Sequence, residues 1–483
     1  MFDALQEGSE RVALSFPDRS LTYAELRGQV RICRLGLADA TRAAVLAEPR
    51  IETAVAVVVA LDMGVPLVLI NPKSGTSELN HIVADAEPDR LFVAPGVDVP
   101  DALSGIERRE IDLDFDGPVA AVGIAPPDHR PDDPALIVYT SGTTGPPKGA
   151  LMPRRAISSN LDALADAWDW TTDDVVAHGL PLFHVHGLVV GILGPLRRGG
   201  TAMHLGRFSP EAVADALNGA ATMLFGVPTM YRRLADAAED SRELAEALGR
   251  ARLLVSGSAA LPAAEHARLE RLTGRAVVER YGMTETLMNT AIRADGQPAP
   301  GTVGPPLAGV DVRLVDDDGV ELDVHDDETI GELQVRGPNV FLGYLNRPDA
   351  TAEALRDGWF ATGDMATRRP DGYIRLVGRR ATDLIKSGGF KIGAGEIEGS
   401  LREHPAVADA AVTGEPDDDL GERVVAWVVL RDGHIAEEDE LIDHVARQLA
   451  PHKRPRVVHL LDDLPRNELG KVQKKRLDAG SAR

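Results

Sequence analysis

The sequence predicts an α/β fold with a large N-terminal multi-sheet body, a β subdomain within it, and a small mobile C-terminal α+β lid. Three observations point there. Over residues 1 to about 130, and again from about 155 to 280, helical stretches alternate with short apolar strands, the βα rhythm of parallel sheets. Past about residue 305 the pattern turns to short strands around an Asp-Asp-Asp-Gly turn at 316–319, as in antiparallel hairpins. From about residue 384 a separate, shorter set of helices and strands begins. A chain of 483 residues also exceeds what one core usually holds.

Taken in order, the body opens with a helix over 22–37 and apolar strands at 43–47, 67–70 and 90–93. The Pro/Asp-rich run 125–133 reads as a surface connection, and Ala135-Leu136-Ile137-Val138-Tyr139 as a buried strand. A helix near 155–167, a strand near 175–179 and a helix near 187–197 follow, then strands at 201–204, 223–227, 251–256 and 276–279. The β subdomain begins with 310–315 and 331–336. In the lid the sequence predicts helices at 394–403 and 437–449 and strands at 407–413, 423–431 and 456–461. The expected boundaries are a body at 1–378, a hinge at 379–383 and a lid at 384–483.

Charge excludes some partners. Asp and Glu number 75 against 52 Lys and Arg, a formal −23, which disfavours nucleic acid and anionic membrane. Cys33 is the single cysteine, so no intramolecular disulfide forms, and a cytoplasmic setting is expected. The N-terminus carries Asp3, Glu7 and Glu10 and reads as no signal peptide, and the apolar run 54–70 is broken by Asp62, Gly64 and Pro66. Only eight of the 52 basic residues are lysine, so Lys148, Lys386, Lys391 and Lys471, all in motif-like loops, mark places for a compact ammonium.

The most informative stretch is Tyr139 to Ala150, Y-T-S-G-T-T-G-P-P-K-G-A. Thr140, Ser141, Thr143 and Thr144 bring hydroxyls, Gly142 and Gly145 permit close backbone approach, and Lys148 brings positive charge. Lying after a buried strand, the loop suits a polyphosphate-sized anion. It differs from the common nucleotide-binding loop, because Pro146 and Pro147 separate Gly145 from Lys148.

Further on, Glu279-Arg280-Tyr281-Gly282-Met283-Thr284-Glu285 offers a ring to stack on a base, a glycine for close approach, a hydroxyl for a phosphate oxygen and a carboxylate for Mg²⁺. Asp364 in Thr362-Gly363-Asp364 suits a ribose diol, with Arg379 or Arg380 beside it. Glycines 388, 389, 393 and 395 supply flexibility to the segment after Asp383. His184 and His186 are two residues apart with no third ligand in sequence, which argues against a metal centre. Lys474 and Lys475 read as surface charges.

These motifs, in this order over nearly the whole chain, resemble the adenylate-forming superfamily of acyl-CoA synthetases, luciferases and peptide-synthetase adenylation domains. The resemblance implies that ATP meets Thr140 to Gly145, Lys148, Ala259, Glu279 to Thr284, Asp364, Arg379 or Arg380, and Lys471, with Mg²⁺ on Glu285 and Thr144. It implies catalytic roles for Lys471, Glu285, Thr284 and for His184 as an aromatic gate, and an acyl pocket touched by Ser258, His184 and Met283. Thr382 or Asp383 would be the pivot, and Gly388, Gly389 and Lys391 would face the coenzyme A tunnel after a swing of the lid. Val227-Pro228-Thr229-Met230-Tyr231-Arg232-Arg233-Leu234 is similar to the malonyl-CoA and methylmalonyl-CoA synthetase branch, with Arg233, or else Arg232, on a second substrate carboxylate. The expected partners are ATP, coenzyme A and a small dicarboxylate. A propionate-type ligase, an adenylation domain loading a carrier protein, and a non-catalytic nucleotide-binding relative are the other readings.

Overall fold

Helix Ile51–Met63, apart from Glu52, Thr53 and Asp62, is apolar all round and almost wholly buried; such a helix is stable only when covered on most sides. It packs on helix Tyr23–Cys33 and on a six-stranded sheet. That sheet runs Glu107–Glu110, Arg90–Val93, Ala43–Leu46, Leu67–Ile70, Pro134–Thr140, Lys148–Pro153, parallel except for its last pair. The computed structural model describes residues 1–114, 125–140, 146–297, 299–380, 383–466 and 472–477, and of Lys391 the backbone alone.

A second, eight-stranded sheet places Val277–Met283, Leu253–Ser256, Met223–Gly226, Val175–His178 and Thr201–His204 side by side and parallel. Leu287–Ala291 closes one edge, and Val12–Ser15 with Ser20–Thr22 the other. The β subdomain is an antiparallel five-stranded sheet built on Gly331–Arg336, Trp359–Arg368 and Ile374–Arg379. In the C-terminal unit the long hairpin Val407–Asp417/Gly421–Leu430 carries Val457–Leu461 in parallel, and helices Ala394–Arg402 and Glu438–Gln448 cover it with their own apolar core. The α/β class and the division into large body and small C-terminal unit follow the sequence. Among the described residues no helix is long and apolar enough to cross a membrane.

Three elements differ from expectation. The segment expected as a helix at 187–197 is a π-helix, His186–Leu193, running into the short α-helix Gly194–Arg198. π-Turns are rare and cluster at functional sites, and this one carries His186 behind the site. The strand expected to stop at residue 279 continues to Met283 by pairing with Leu287–Ala291, so much of the second nucleotide motif lies on a strand. The glycine-rich loop after Asp383 is a tight hairpin, Leu384–Ser387 against Phe390–Gly393. Gly388 (φ +59°) and Gly389 (φ +81°) are both left-handed, as a two-residue turn matching strand twist requires.

Candidate active site

On the phosphate side, Thr140 ends its strand and Lys148 opens the next, the two paired in register. Ser141, Gly142, Thr143, Thr144 and Gly145 lie outside the described residues. The frame around the loop is fixed by Tyr139, whose hydroxyl donates to Asp85 (2.8 Å), and by His81 Nε2, 2.8 Å from the Pro147 carbonyl. Lys148 Nζ sits 4.4 Å from the centroid of the Tyr344 ring, an attraction of ammonium to π-face. The Tyr344 hydroxyl in turn donates to Glu285 Oε1 (2.8 Å). Burial and the Glu285 carboxylate push the Tyr344 hydroxyl's pKa up, so it stays a donor. Tyr344 thus joins Lys148 of one sheet to Glu285 beside the other. With one Glu285 oxygen held this way, the second suits a hard cation shared with substrate phosphates. Thr284 is half-buried in the adjoining turn.

On the nucleoside side, the Tyr281 hydroxyl donates to Asp364 Oδ2, while Arg379 Nε lies 2.8 Å from Asp364 Oδ1. Asp364 and Arg379 face each other across paired strands. Arg380 turns elsewhere, to Asp317 and to Glu332 (3.2 Å). The geometry therefore favours Arg379 of the two arginines. Losing one charge-assisted contact costs about 1.5–3 kcal/mol, so Arg379→Ala should raise the Kd for AMP by about ten- to a hundredfold while Arg380→Ala leaves it near wild type. Calorimetric titration with AMP checks both. Ser258, at φ +73°, and Ala259 lie exposed on the loop after Leu253–Ser256; a serine held in that region marks stored strain.

The third side is dominated by one buried guanidinium. Arg280 is 4% exposed, its Nε and Nη2 have no hydrogen-bond partner, and no carboxylate among the described residues pairs with it. Burial pushes it down to about 9. Gly257 lies against it so closely that a Cβ there would fall 2.3 Å from Arg280 Cζ. Behind it His186 stacks on Phe225, with both ring nitrogens unpartnered, and His178 packs edge-on to His204. Burial, and for His186 the nearby Arg280 charge, hold His186 and His178 neutral, and burial brings His204 down to about 4. Arg280 is thus a charge in an otherwise neutral wall. His184 is half-buried against Phe183, ring centroids 4.4 Å apart, and Met283 is half-buried at its strand end.

Two expectations fit this side poorly. Arg233 is exposed, its guanidinium 5.1 Å from the Phe208 ring. Helix Pro228–Asp240 buries Tyr231, Leu234, Ala235 and Ala238, and position 233 falls on the other face. Arg232 is half-buried. Glu279, expected on ATP, is 2% exposed and committed internally, accepting from Leu261 N–H (2.8 Å) with His266 Nε2 at 3.1 Å. Its neighbours in the strand point the opposite way, which is why Arg280 reaches the site and Glu279 braces the 257–262 loop.

At the lid, Asp383 accepts from the Arg379 N–H (2.9 Å), and Gly388 and Gly389 form the exposed hairpin tip, with Lys391 opposite Lys386 in register. Thr382 and Lys471 lie outside the described residues. Lys474 is no surface charge: it is 13% exposed and pairs with Asp383 (2.6 Å) and Glu398 (2.7 Å). Tyr344 and Lys474 are the site-related residues whose roles sequence reasoning missed, since their partners lie far away in the chain. Gly257 belongs to the small-residue strip Ser256-Gly257-Ser258-Ala259-Ala260, which by resemblance lies along the adenine and the acyl group.

Residues 2–345 match the family of AMP-binding enzymes, and residues 396–471 match the AMP-binding enzyme C-terminal domain. The chain is 40% identical to the human mitochondrial malonate–CoA ligase over 71% of its own length, spanning 65% of that protein. It is 35% identical to the mouse counterpart over 95% of its length and 85% of the relative's. Among solved structures it resembles a malonyl-CoA ligase ternary product complex with methylmalonyl-CoA and AMP bound, at 58% identity and TM-score 0.74, covering 96% of this chain and all of that one. It also resembles ATP-bound MatB from Rhodopseudomonas palustris, at 36% identity and TM-score 0.88, covering 98% of each. With the phosphate frame, the Asp364–Arg379 pair and both matched domains in place, the chain belongs to the AMP-binding enzyme family.

Proposed function

We propose that the protein is an AMP-forming acid–thiol ligase that joins malonate or methylmalonate to coenzyme A. The observation that carries the substrate class is Arg280, a buried guanidinium that no carboxylate among the described residues pairs with. An uncompensated buried charge costs several kcal/mol, and a substrate carboxylate that pairs with it recovers that cost. A monocarboxylate has only the carboxylate that reacts; a dicarboxylate supplies a second. The malonate–CoA ligases among the relatives and the solved complex with methylmalonyl-CoA support the same reading.

In the first half-reaction an oxygen of the substrate carboxylate attacks the α-phosphorus of ATP, forming the acyl-adenylate and expelling pyrophosphate. Lys148 and the hydroxyls of the 140–145 loop receive the phosphates, Asp364 takes the ribose diol with Arg379 and Tyr281 fixing it, and Arg280 holds the distal carboxylate so that the other one faces the α-phosphate. Glu285 would hold Mg²⁺, which supplies charge neutralisation at the phosphates. Lys471 reduces the repulsion between the two anions as they meet. In the second half-reaction the sulfur of coenzyme A attacks the acyl carbonyl, the thioester forms and AMP leaves with the bonding pair. His184 gates the thiol's entry. The lid, residues 384–483, turns about 379–383 between the two steps, presenting Lys471 in one orientation and the Gly388–Gly389 hairpin in the other. A lone half-buried thiol, Cys33, fits a cytoplasmic setting.

Incubating the protein with Mg·ATP, coenzyme A and malonate, methylmalonate, acetate, propionate or a carrier protein, then weighing the products, tests this. Malonyl or methylmalonyl thioester of coenzyme A with AMP is expected. Preference for propionate, or acyl transfer to carrier protein alone, would replace the proposal.

A further inference from the structure

Away from the substrate walls, a run of mostly half-buried ion pairs sits where the C-terminal unit joins the body. Asp383 faces two ways: Oδ2 accepts from the Arg379 N–H on the body side, and Oδ1 lies 2.6 Å from Lys474 Nζ. Lys474 also reaches Glu398 Oε1, at 2.7 Å, on helix Ala394–Arg402. From there Glu398 meets Arg402 (3.5 Å), Arg402 meets Asp409 (2.9 Å), and Asp409 meets Arg466. Arg466 and Val472 form a β-bridge. Ion pairs therefore anchor both flanks of segment 467–471, which carries Lys471. Exposed pairs are worth little, but Lys474 and Glu398 are each 13% exposed and Asp383 20%, and covered pairs are costly to break on one side. Burial opposes the Lys474 charge, yet Glu398 and Asp383 together hold the ammonium above its ordinary value.

We propose that Lys474 is a positioning residue that ties the segment bearing Lys471 to the hinge carboxylate Asp383, and so sets when Lys471 is presented to the acyl and phosphate groups. The inference rests on the two-orientation reading of the lid given above. Lys474 and Glu398 belong to the lid and move together, whereas Asp383 sits at its root. A turn about residues 379–383 must change the bond of Asp383 to Arg379 or its pair with Lys474. Asp383 is held to Arg379 twice, through its carboxylate and through its own N–H to the Arg379 carbonyl (2.8 Å), so the pair with Lys474 is the contact a turn changes, and its loss acts on one half-reaction.

The test uses the full chain and separates the half-reactions: malonate-dependent pyrophosphate exchange for adenylation, and thioester formation from synthetic malonyl-adenylate with coenzyme A. Lys474→Met should slow exchange about tenfold or more while thioester formation stays within about twofold of wild type. Lys474→Arg, which keeps the charge and reach, should restore most of the exchange. If the Met variant does not fold, Lys474→Gln takes its place with the same expected split. Equal losses in both half-reactions, or no loss in exchange, overturn the proposal. Lys471→Ala run in parallel distinguishes the failures. If it too slows both steps equally, the two-orientation reading fails; if it splits them and Lys474→Met does not, only the positioning role fails.

Discussion

Lys471→Ala is expected to slow acyl-adenylate formation by about a hundredfold or more, the scale of removing one preorganised charge or donor from a transition state. Adenylation brings a carboxylate and a triphosphate together, and two like charges at 4 Å repel by about 4 kcal/mol at an effective dielectric constant near 20. A lysine ammonium placed between them acts where the charge shifts, so its loss should appear in kcat more than in the KM for malonate. Thioester formation from supplied malonyl-adenylate needs no such bridge and should be much less affected. Pyrophosphate exchange and single-turnover thioester formation measure the two steps separately. Equal loss in both would mean that Lys471 serves the site in every state and that lid alternation is not what brings it there.

How much of this was legible in the sequence depends on the kind of signal. Strands such as Leu67–Ile70 and Met223–Gly226 were readable because short apolar runs between turn residues leave few alternatives. The Asp364–Arg379 pair was half readable: the sequence narrowed it to two arginines, and the strand register, with Arg380 drawn away by Asp317 and Glu332, favoured one. Gly388-Gly389 carried its own hairpin signal, but two adjacent glycines read equally well as flexibility. The π-helix at His186–Leu193 was not readable, because an all-apolar run has no period to betray an extra residue in the turn. Lys474 looked solvated since its partners, Asp383 and Glu398, stand far away in sequence. The choice between Arg233 and Arg280 was beyond sequence reasoning altogether. It turns on which strand face meets Gly257 and which helix face meets the core, and both depend on tertiary packing.

That choice gives the other large expected effect. Arg280→Met keeps the apolar stem and removes the charge, so kcat/KM for malonate should fall by about 2–5 kcal/mol, as when one partner of a desolvated charge pair is truncated. Propionate, with no distal carboxylate, should lose far less, and the ratio of the two specificity constants should move by at least about thirtyfold. Stability should move the other way. Arg280 in the free protein is a buried cation pushed down to about 9 by burial alone, so replacing it with an apolar side chain of similar volume removes a desolvation cost. The ligand-free Arg280→Met protein should therefore melt at or above the wild-type temperature, and malonate, expected to raise the wild-type melting point, should no longer raise that of the variant. Arg233→Ala, made beside it, should leave malonate turnover within about threefold, since an exposed guanidinium is already solvated. If Arg233→Ala instead removes the preference for malonate, the distal carboxylate binds there as the sequence resemblance implies. If Arg280→Met weakens malonate and propionate alike while raising the KM for ATP, Arg280 serves the nucleotide, and the selectivity for a dicarboxylate must come from another wall of the site.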